Sequence, residues 1–215
     1  MISNFNEKVP KVYHGTTTVA LVCKEGVVFA TDTRVTADGY VAHKKGKKLY
    51  KIDDHLAITI AGTVADAQNV IDILRFHVKK YELEHHKKIS IRAAATLTSN
   101  IFYSNRFSPL IAQVIVGGLD GDTSSIYQVD FFGSLTEEKL VSTGSGSPIA
   151  YSILETEYSP NLPVKEGVKI AAKAVLSAMR RDTATGDSFD VSIIDSNGYH
   201  ELDEKAKDGL VKGIW

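Results

Sequence analysis

Apolar and polar positions alternate in two rhythms along this chain. Residues 17–23 (TTVALVC) and 26–31 (GVVFAT) are short, apolar and β-branched, and Lys24-Glu25-Gly26 between them supplies a turn. They read as a β-hairpin. Ala37-Asp38-Gly39 is a further turn signal, and residues 48–52 and 56–61 read as a second hairpin around Asp53-Asp54-His55. The rhythm then changes. Val64, Ala67, Ile71, Leu74 and Val78 recur at the three-and-four spacing of an amphipathic helix over residues 64–84. Residues 90–103 repeat that spacing, with Ser90 placed as an N-cap and a polar His85-His86-Lys87-Lys88 connector before it.

Strand patterns return at residues 111–119, 125–131 and 139–143, separated by turn signals at Gly121-Asp122 and Gly133-Ser134. Residues 147–158 form a third helical pattern with Pro148 near its start, where proline suits a helix. Residues 164–181 form a fourth, despite Gly167, and residues 189–195 and 199–202 make a hairpin across Ser196-Asn197-Gly198. Strands, two helices, strands, two helices, strands is a segregated order. It predicts an α+β fold with antiparallel sheets rather than a βαβ wind. Two facing sheets, each covered outside by a helix pair, would satisfy every apolar face.

Composition narrows the classes. A chain of 215 residues fits one domain, or one domain plus a short processed segment. A formal net charge of -1 argues against a nucleic-acid binder, which carries a basic excess. The single cysteine, Cys23, excludes an intrachain disulfide scaffold. No stretch approaches the roughly 20 apolar residues of a membrane span. Residues 1–15 (MISNFNEKVPKVYHG) lack the apolar run of a secretory signal.

The candidate chemistry begins at Gly15-Thr16-Thr17-Thr18-Val19. A cut after Gly15 would leave a free amine on Thr16. A threonine hydroxyl is a weak nucleophile that needs a base within reach, and its own terminal amine can serve. That amine, with a reference pKa near roughly 7.7–8.0, is partly neutral at working pH. The same residues also fit an ordinary strand start rich in β-branched side chains. Asp32 ends one strand and Lys48 opens another, so both reach Thr16 if the two hairpins pair in order. A buried cation there would lower the pKa of the amine and hydroxyl; a surface ion pair of little consequence is the alternative. Gly62, between a strand and a helix, offers backbone N–H groups for a developing oxyanion, or simply makes the turn. Gly144-Ser145-Gly146-Ser147 could be a flexible loop or a phosphate cradle, although no Walker pattern follows. Residues 181–187 (RDTATGD) could be a plain helix end with a glycine stop.

Taken in order, GTTTVAL, ATDTRVT, the Lys48 strand, TIAGTVADAQ, TGSGSPIAYSILE and RRDTATGD resemble the β-type subunits of the proteasome core particle, archaeal type, from Gly15 to about Leu202. The resemblance implies a four-layer αββα N-terminal-nucleophile hydrolase sandwich. It implies a threonine endopeptidase made by self-cleavage, with residues 1–15 as propeptide and 16–215 as the hydrolase domain. Thr16 would be the nucleophile, Asp32 and Lys48 its charged partners and Gly62 the oxyanion donor. Ser145, Asp182 and Thr185 would support the terminal amine; Thr185 stands where the family commonly has serine and keeps the hydroxyl. Val35, Ile60 and Val64 would line an apolar specificity pocket, giving cleavage after hydrophobic residues. No metal or organic cofactor is implied. Partners would be a seven-membered β ring, an opposing β ring, an α ring with an ATPase or activator beyond it, and unfolded polypeptide substrate, in the cytoplasm, with neither nucleic acid nor membrane. The rival readings are a non-catalytic β subunit needed for ring assembly, an N-terminal-threonine amidase of the asparaginase kind, and an assembly scaffold.

Overall fold

The computed structural model describes residues 15–37 and 39–214. Residues 1–14 of the expected propeptide, and Asp38 of the Ala37-Asp38-Gly39 turn, lie outside the described residues. β1 (Thr18–Cys23) and β2 (Gly26–Asp32) form the first hairpin, with Cys23 opposite Gly26 and Thr18 opposite Thr31. β10 (Leu140–Thr143) pairs with β1, β11 (Phe189–Asp195) with β2, and β12 (Gly198–Glu201) with β11. The second sheet runs β5 (Leu49–Asp53), β6 (Leu56–Gly62), β7 (Ala112–Asp120), β8 (Thr123–Val129) and β9 (Leu135–Glu138). Every pairing in both sheets is antiparallel.

The two sheets face each other, which explains why a strand such as β2 is buried at every position. Successive side chains point to opposite faces. Val27 and Phe29 therefore enter the layer between the sheets, together with Ala57, Ile115 and Ile126 from the second sheet. Val28 and Ala30 point the other way, toward α3 (Ser147–Glu157) and α4 (Val164–Met179). On the far side, Leu56, Ile58, Val114 and Val116 meet Val70, Leu74 and Ala94 of α1 (Val64–His85) and α2 (Ile91–Ser104). The result is the four-layer αββα sandwich that the sequence predicts. Ser90 caps α2 as expected, accepting from the Ala93 N–H at 3.2 Å. Gly167 lies inside α4 because the helix packs tightly there: a β-carbon would fall 2.4 Å from Cys23 Sγ.

Four features differ from the sequence reading. The two N-terminal hairpins do not pair in order; β2 and β5 belong to opposite sheets, so the chain crosses the sandwich between them. β3 (Val35–Ala37) and β4 (Tyr40–His43) form a separate ribbon, with all of β4 exposed, so no apolar pattern marks it. The region before residue 143 switches sheets at Lys139, where β9 on β8 gives way to β10 on β1. Finally, α5 (Glu204–Ile214) follows β12 and lays Leu210, Val211 and Ile214 against the α3–α4 side. Its two glycines, Gly209 and Gly213, weaken the helical signal in the sequence.

Candidate active site

The open ends of β1 and β2 carry polar residues into the protein interior. Thr16, Thr17, Thr18, Asp32 and Lys48 are all buried, and Asp32 is wholly inaccessible. A carboxylate there must be fully partnered. Asp32 Oδ1 accepts from the Thr17 N–H at 2.9 Å and from Lys48 Nζ at 2.8 Å. Oδ2 accepts from the N–H groups of Arg34 and Gly186, each at 3.1 Å. Four donors thus converge on one carboxyl from four segments of chain. Burial pushes the Asp32 carboxyl up from its ordinary value, against the opposing pull of Lys48 and of the Thr17 and Gly186 N–H groups. Burial likewise holds the Lys48 ammonium below its ordinary value, with Asp32 pulling the other way. A lysine so placed releases a proton more readily than one on the surface.

Thr16 sits beside this pair. Its Oγ1 donates to the Gly15 carbonyl oxygen at 2.6 Å, and Lys48 Nζ approaches the same oxygen at 3.4 Å. In the uncut chain the Thr16 nitrogen is a peptide amide, standing where a free amine would appear after cleavage. It donates to Ser145 Oγ at 3.3 Å. Ser145 Oγ in turn donates to Asp182 Oδ2, which also accepts from Thr185 Oγ1 at 2.6 Å. Thr185 Oγ1 also meets Thr17 Oγ1 at 2.8 Å. The extra methyl of Thr185 is accommodated, since the residue is completely buried with both hydroxyl contacts made.

Two glycines are needed for close approach. A β-carbon on Gly15 would lie 1.7 Å from that of Ala184 and 2.5 Å from its Cα, so backbone as well as side chain bars any larger residue. Gly62 has φ +150°, and a β-carbon there would strike the Ile111 carbonyl at 2.0 Å. Beside them opens a cavity of about 360 Å³ bordered by Gly15, Thr16, Lys48 and Gly62. Val35, Ile60 and Val64 line it, together with Tyr50 and Ala67. Arg34, His43, Lys45 and Lys47 also border it, and these basic residues were not foreseen.

The structure brings together every residue singled out from sequence: Thr16, Asp32, Lys48, Ser145, Asp182 and Thr185 in one network, Gly62 and the apolar trio around the adjoining cavity. Sequence reasoning missed the Thr17 amide, Arg34 and Gly186, all of which serve Asp32 or the loop beside it. Arg34 lies in the ATDTRVT segment, two residues after Asp32, and this adjacency was the available signal.

Comparison with known proteins agrees with this architecture. The family model described as proteasome subunit matches residues 12–194. The chain is 48% identical over 193 residues to proteasome subunit beta 2 of Ignicoccus hospitalis, covering 90% of this chain and 91% of that one. It is 46% identical over 205 residues to proteasome subunit beta of Archaeoglobus profundus, covering 95% of each. It is 44% identical over 207 residues to proteasome subunit beta 2 of Nitrosopumilus maritimus, covering 96% of this chain and 99% of that one. With its two antiparallel sheets between helix layers and these similarities along most of its length, the chain belongs to the proteasome subunit family, alongside archaeal β subunits.

Proposed function

We propose that this chain is the precursor of a threonine endopeptidase subunit of the proteasome core particle, activated by cutting itself between Gly15 and Thr16. The observation that carries the reading is the convergence of Thr16 Oγ1 and Lys48 Nζ on the Gly15 carbonyl oxygen, with Asp32 holding the lysine. In self-cleavage, Thr16 Oγ adds to the Gly15 carbonyl carbon and its proton passes to the departing Thr16 nitrogen. The resulting ester is hydrolysed by water, releasing residues 1–15 as an acid and leaving the Thr16 amine free.

The freed amine then serves as base for the hydroxyl on the same residue. In each turnover Thr16 Oγ adds to a substrate carbonyl, and the amine takes the hydroxyl proton and delivers it to the leaving peptide nitrogen. Water then cleaves the acyl ester and regenerates Thr16. Lys48, held by Asp32, favours the ionised hydroxyl. The Gly62 N–H is the proposed donor to the oxyanion, and the Ser145–Asp182–Thr185 network orients the amine. The Val35, Ile60 and Val64 wall supports cleavage after hydrophobic residues. Exposed Phe76, Leu83 and Phe107 support burial against neighbouring subunits of the β and α rings. Among the described residues no helix is long and apolar enough to cross a membrane, and a cytoplasmic particle taking unfolded polypeptides through its α ring is the proposed setting.

Intact mass and N-terminal sequencing of the chain assembled with its α partner test this, beside Thr16→Ala. Wild type is expected to begin at Thr16 and to hydrolyse peptides, and Thr16→Ala to retain residues 1–15 and to be inactive. Wild type that keeps its first fifteen residues in the full particle would transfer the chain to a structural role in ring assembly.

A further inference from the structure

The loop between α4 and β11 delivers much of the site. Gly186 donates its N–H to Asp32, Thr185 meets Thr17, and Asp182 meets Ser145. No helix or strand holds this loop, since α4 ends at Met179 and β11 begins at Phe189. Asp187 within it adopts φ +66°, a left-handed conformation uncommon outside glycine, although aspartate is among the side chains that tolerate it best. The loop makes short turn bonds of its own, from the Thr185 N–H to the Asp182 carbonyl and from the Ala184 N–H to Asp182 Oδ1, each at 3.2 Å, and contacts from outside add to them.

Arg34 spans it. Its Nε donates to Asp187 Oδ2 at 2.8 Å and its Nη1 to the Thr183 carbonyl at 2.9 Å, so the guanidinium fork grips the loop on both sides of Gly186. The loop lies flat on the guanidinium: a β-carbon at residue 186 would fall 2.4 Å from the Arg34 Cζ. The side chains of Arg34 and Asp187 are only 23% and 17% exposed, so solvent screens the pair less than a surface bridge. The hydrogen bond from Arg34 holds the Asp187 carboxyl below its usual range. Meanwhile the Arg34 backbone N–H donates to the same Asp32 oxygen as Gly186.

We propose that Arg34 is a positioning residue, which through Thr183 and Asp187 holds the 182–187 loop where Gly186 reaches Asp32 and Thr185 reaches Thr17. The inference rests on the threonine-peptidase reading and adds a part to it that touches neither the scissile bond nor the nucleophile.

The test assembles full-length Arg34→Gln, Arg34→Lys, Gly186→Ala and doubly substituted Arg34→Gln with Asp187→Asn chains with the α partner, and measures peptide hydrolysis and loss of residues 1–15. Arg34→Gln is expected to lower kcat about 10²-fold with KM unchanged, the signature of misplaced catalytic groups. Gly186→Ala keeps the N–H to Asp32 but displaces the guanidinium, and is expected to lower kcat in the same direction. Arg34→Lys retains charge without the fork and is expected to fall between. Asp187→Asn added to Arg34→Gln is expected to cost little more than Arg34→Gln alone. Wild-type kcat in Arg34→Gln overturns the proposal, as does a raised KM at wild-type kcat, which would make Arg34 a substrate contact. If Arg34→Gln does not assemble, wild-type kcat in both Arg34→Lys and Gly186→Ala overturns it. An uncut, inactive wild type removes the peptidase reading and this inference together; an active wild type with unaffected variants removes this inference alone.

Discussion

The β1–β2 hairpin has two regions of opposite chemistry within one layer. In its middle, Ala20, Val27 and Phe29 lie between the sheets in an apolar cluster with Leu49, Ala57, Ile115 and Ile126. At its open end, the same layer holds Thr18, Asp32, Lys48, Thr59 and Thr143, all buried. The apolar middle needs only area and volume, because dispersion and water exclusion have no fixed direction. The polar end needs directed partners, and nearly all its buried polar groups have them, with Thr31 Oγ1 the exception. Thr18 Oγ1 meets Thr143 Oγ1 at 2.7 Å and accepts from Thr59 Oγ1 at 3.1 Å, and Asp32 has its four donors. Changes in the middle should therefore act on stability alone, whereas changes at the open end should act on stability and chemistry together.

Lys48→Ala should break the polar end most severely. It leaves the Asp32 carboxylate wholly buried without its cation, a loss of about 3–5 kcal/mol for a separated buried pair. It also removes the ammonium proposed to favour the ionised Thr16 hydroxyl, and a fall in hydrolysis of about 10²–10³-fold is expected, the range for losing one electrostatic stabiliser. Denaturant unfolding and peptide hydrolysis measure the two effects separately. Normal stability in Lys48→Ala would mean that Asp32 finds another partner or a proton, and the contrast between the regions would weaken.

Phe29→Ala should break the middle instead. Phe29 is wholly buried between the sheets, and its truncation is expected to cost about 3–5 kcal/mol. The assembled, folded fraction should keep its kcat. A parallel fall in kcat would show that the apolar layer sets the site geometry, so that the two regions are one unit.

Legibility in the sequence follows the same division. The buried strands and the four long helices were readable because burial imposes period and composition on each segment locally: the apolar run of β2, the three-and-four spacing of α1, the Ser90 cap of α2. Which sheet each hairpin joins was not readable, because β2 and β5 present the same kind of pattern whether they pair or face each other. Asp32 and Lys48 do meet, but across the sandwich rather than along one sheet. The β3–β4 ribbon escaped because its stability comes from backbone pairing, which leaves little apolar pattern. The apolar spacing of α5 is present in Leu210, Val211 and Ile214, but the helix is short and holds two glycines, which mask it. The site residues were legible mainly through the order of their motifs. Thr17 and Gly186 act through backbone N–H groups, which no side-chain pattern reveals.

Thr185 sharpens the comparison at the smallest scale, because it contains both chemistries in one side chain. Its hydroxyl bridges Thr17 Oγ1 and Asp182 Oδ2, and the residue is fully buried. Thr185→Val keeps the shape and removes the bridge, leaving two polar groups short of a partner at about 1–3 kcal/mol; kcat should fall with stability. Thr185→Ser keeps the bridge and removes one buried methyl, which is worth about 0.8 kcal/mol. That variant should lose a little stability and keep its kcat. The pair separates hydroxyl from methyl at a single position, read by unfolding midpoints and peptide hydrolysis. If Ser lowers kcat as much as Val does, then the methyl packs the site into register, and even the polar end depends on shape as well as on partners.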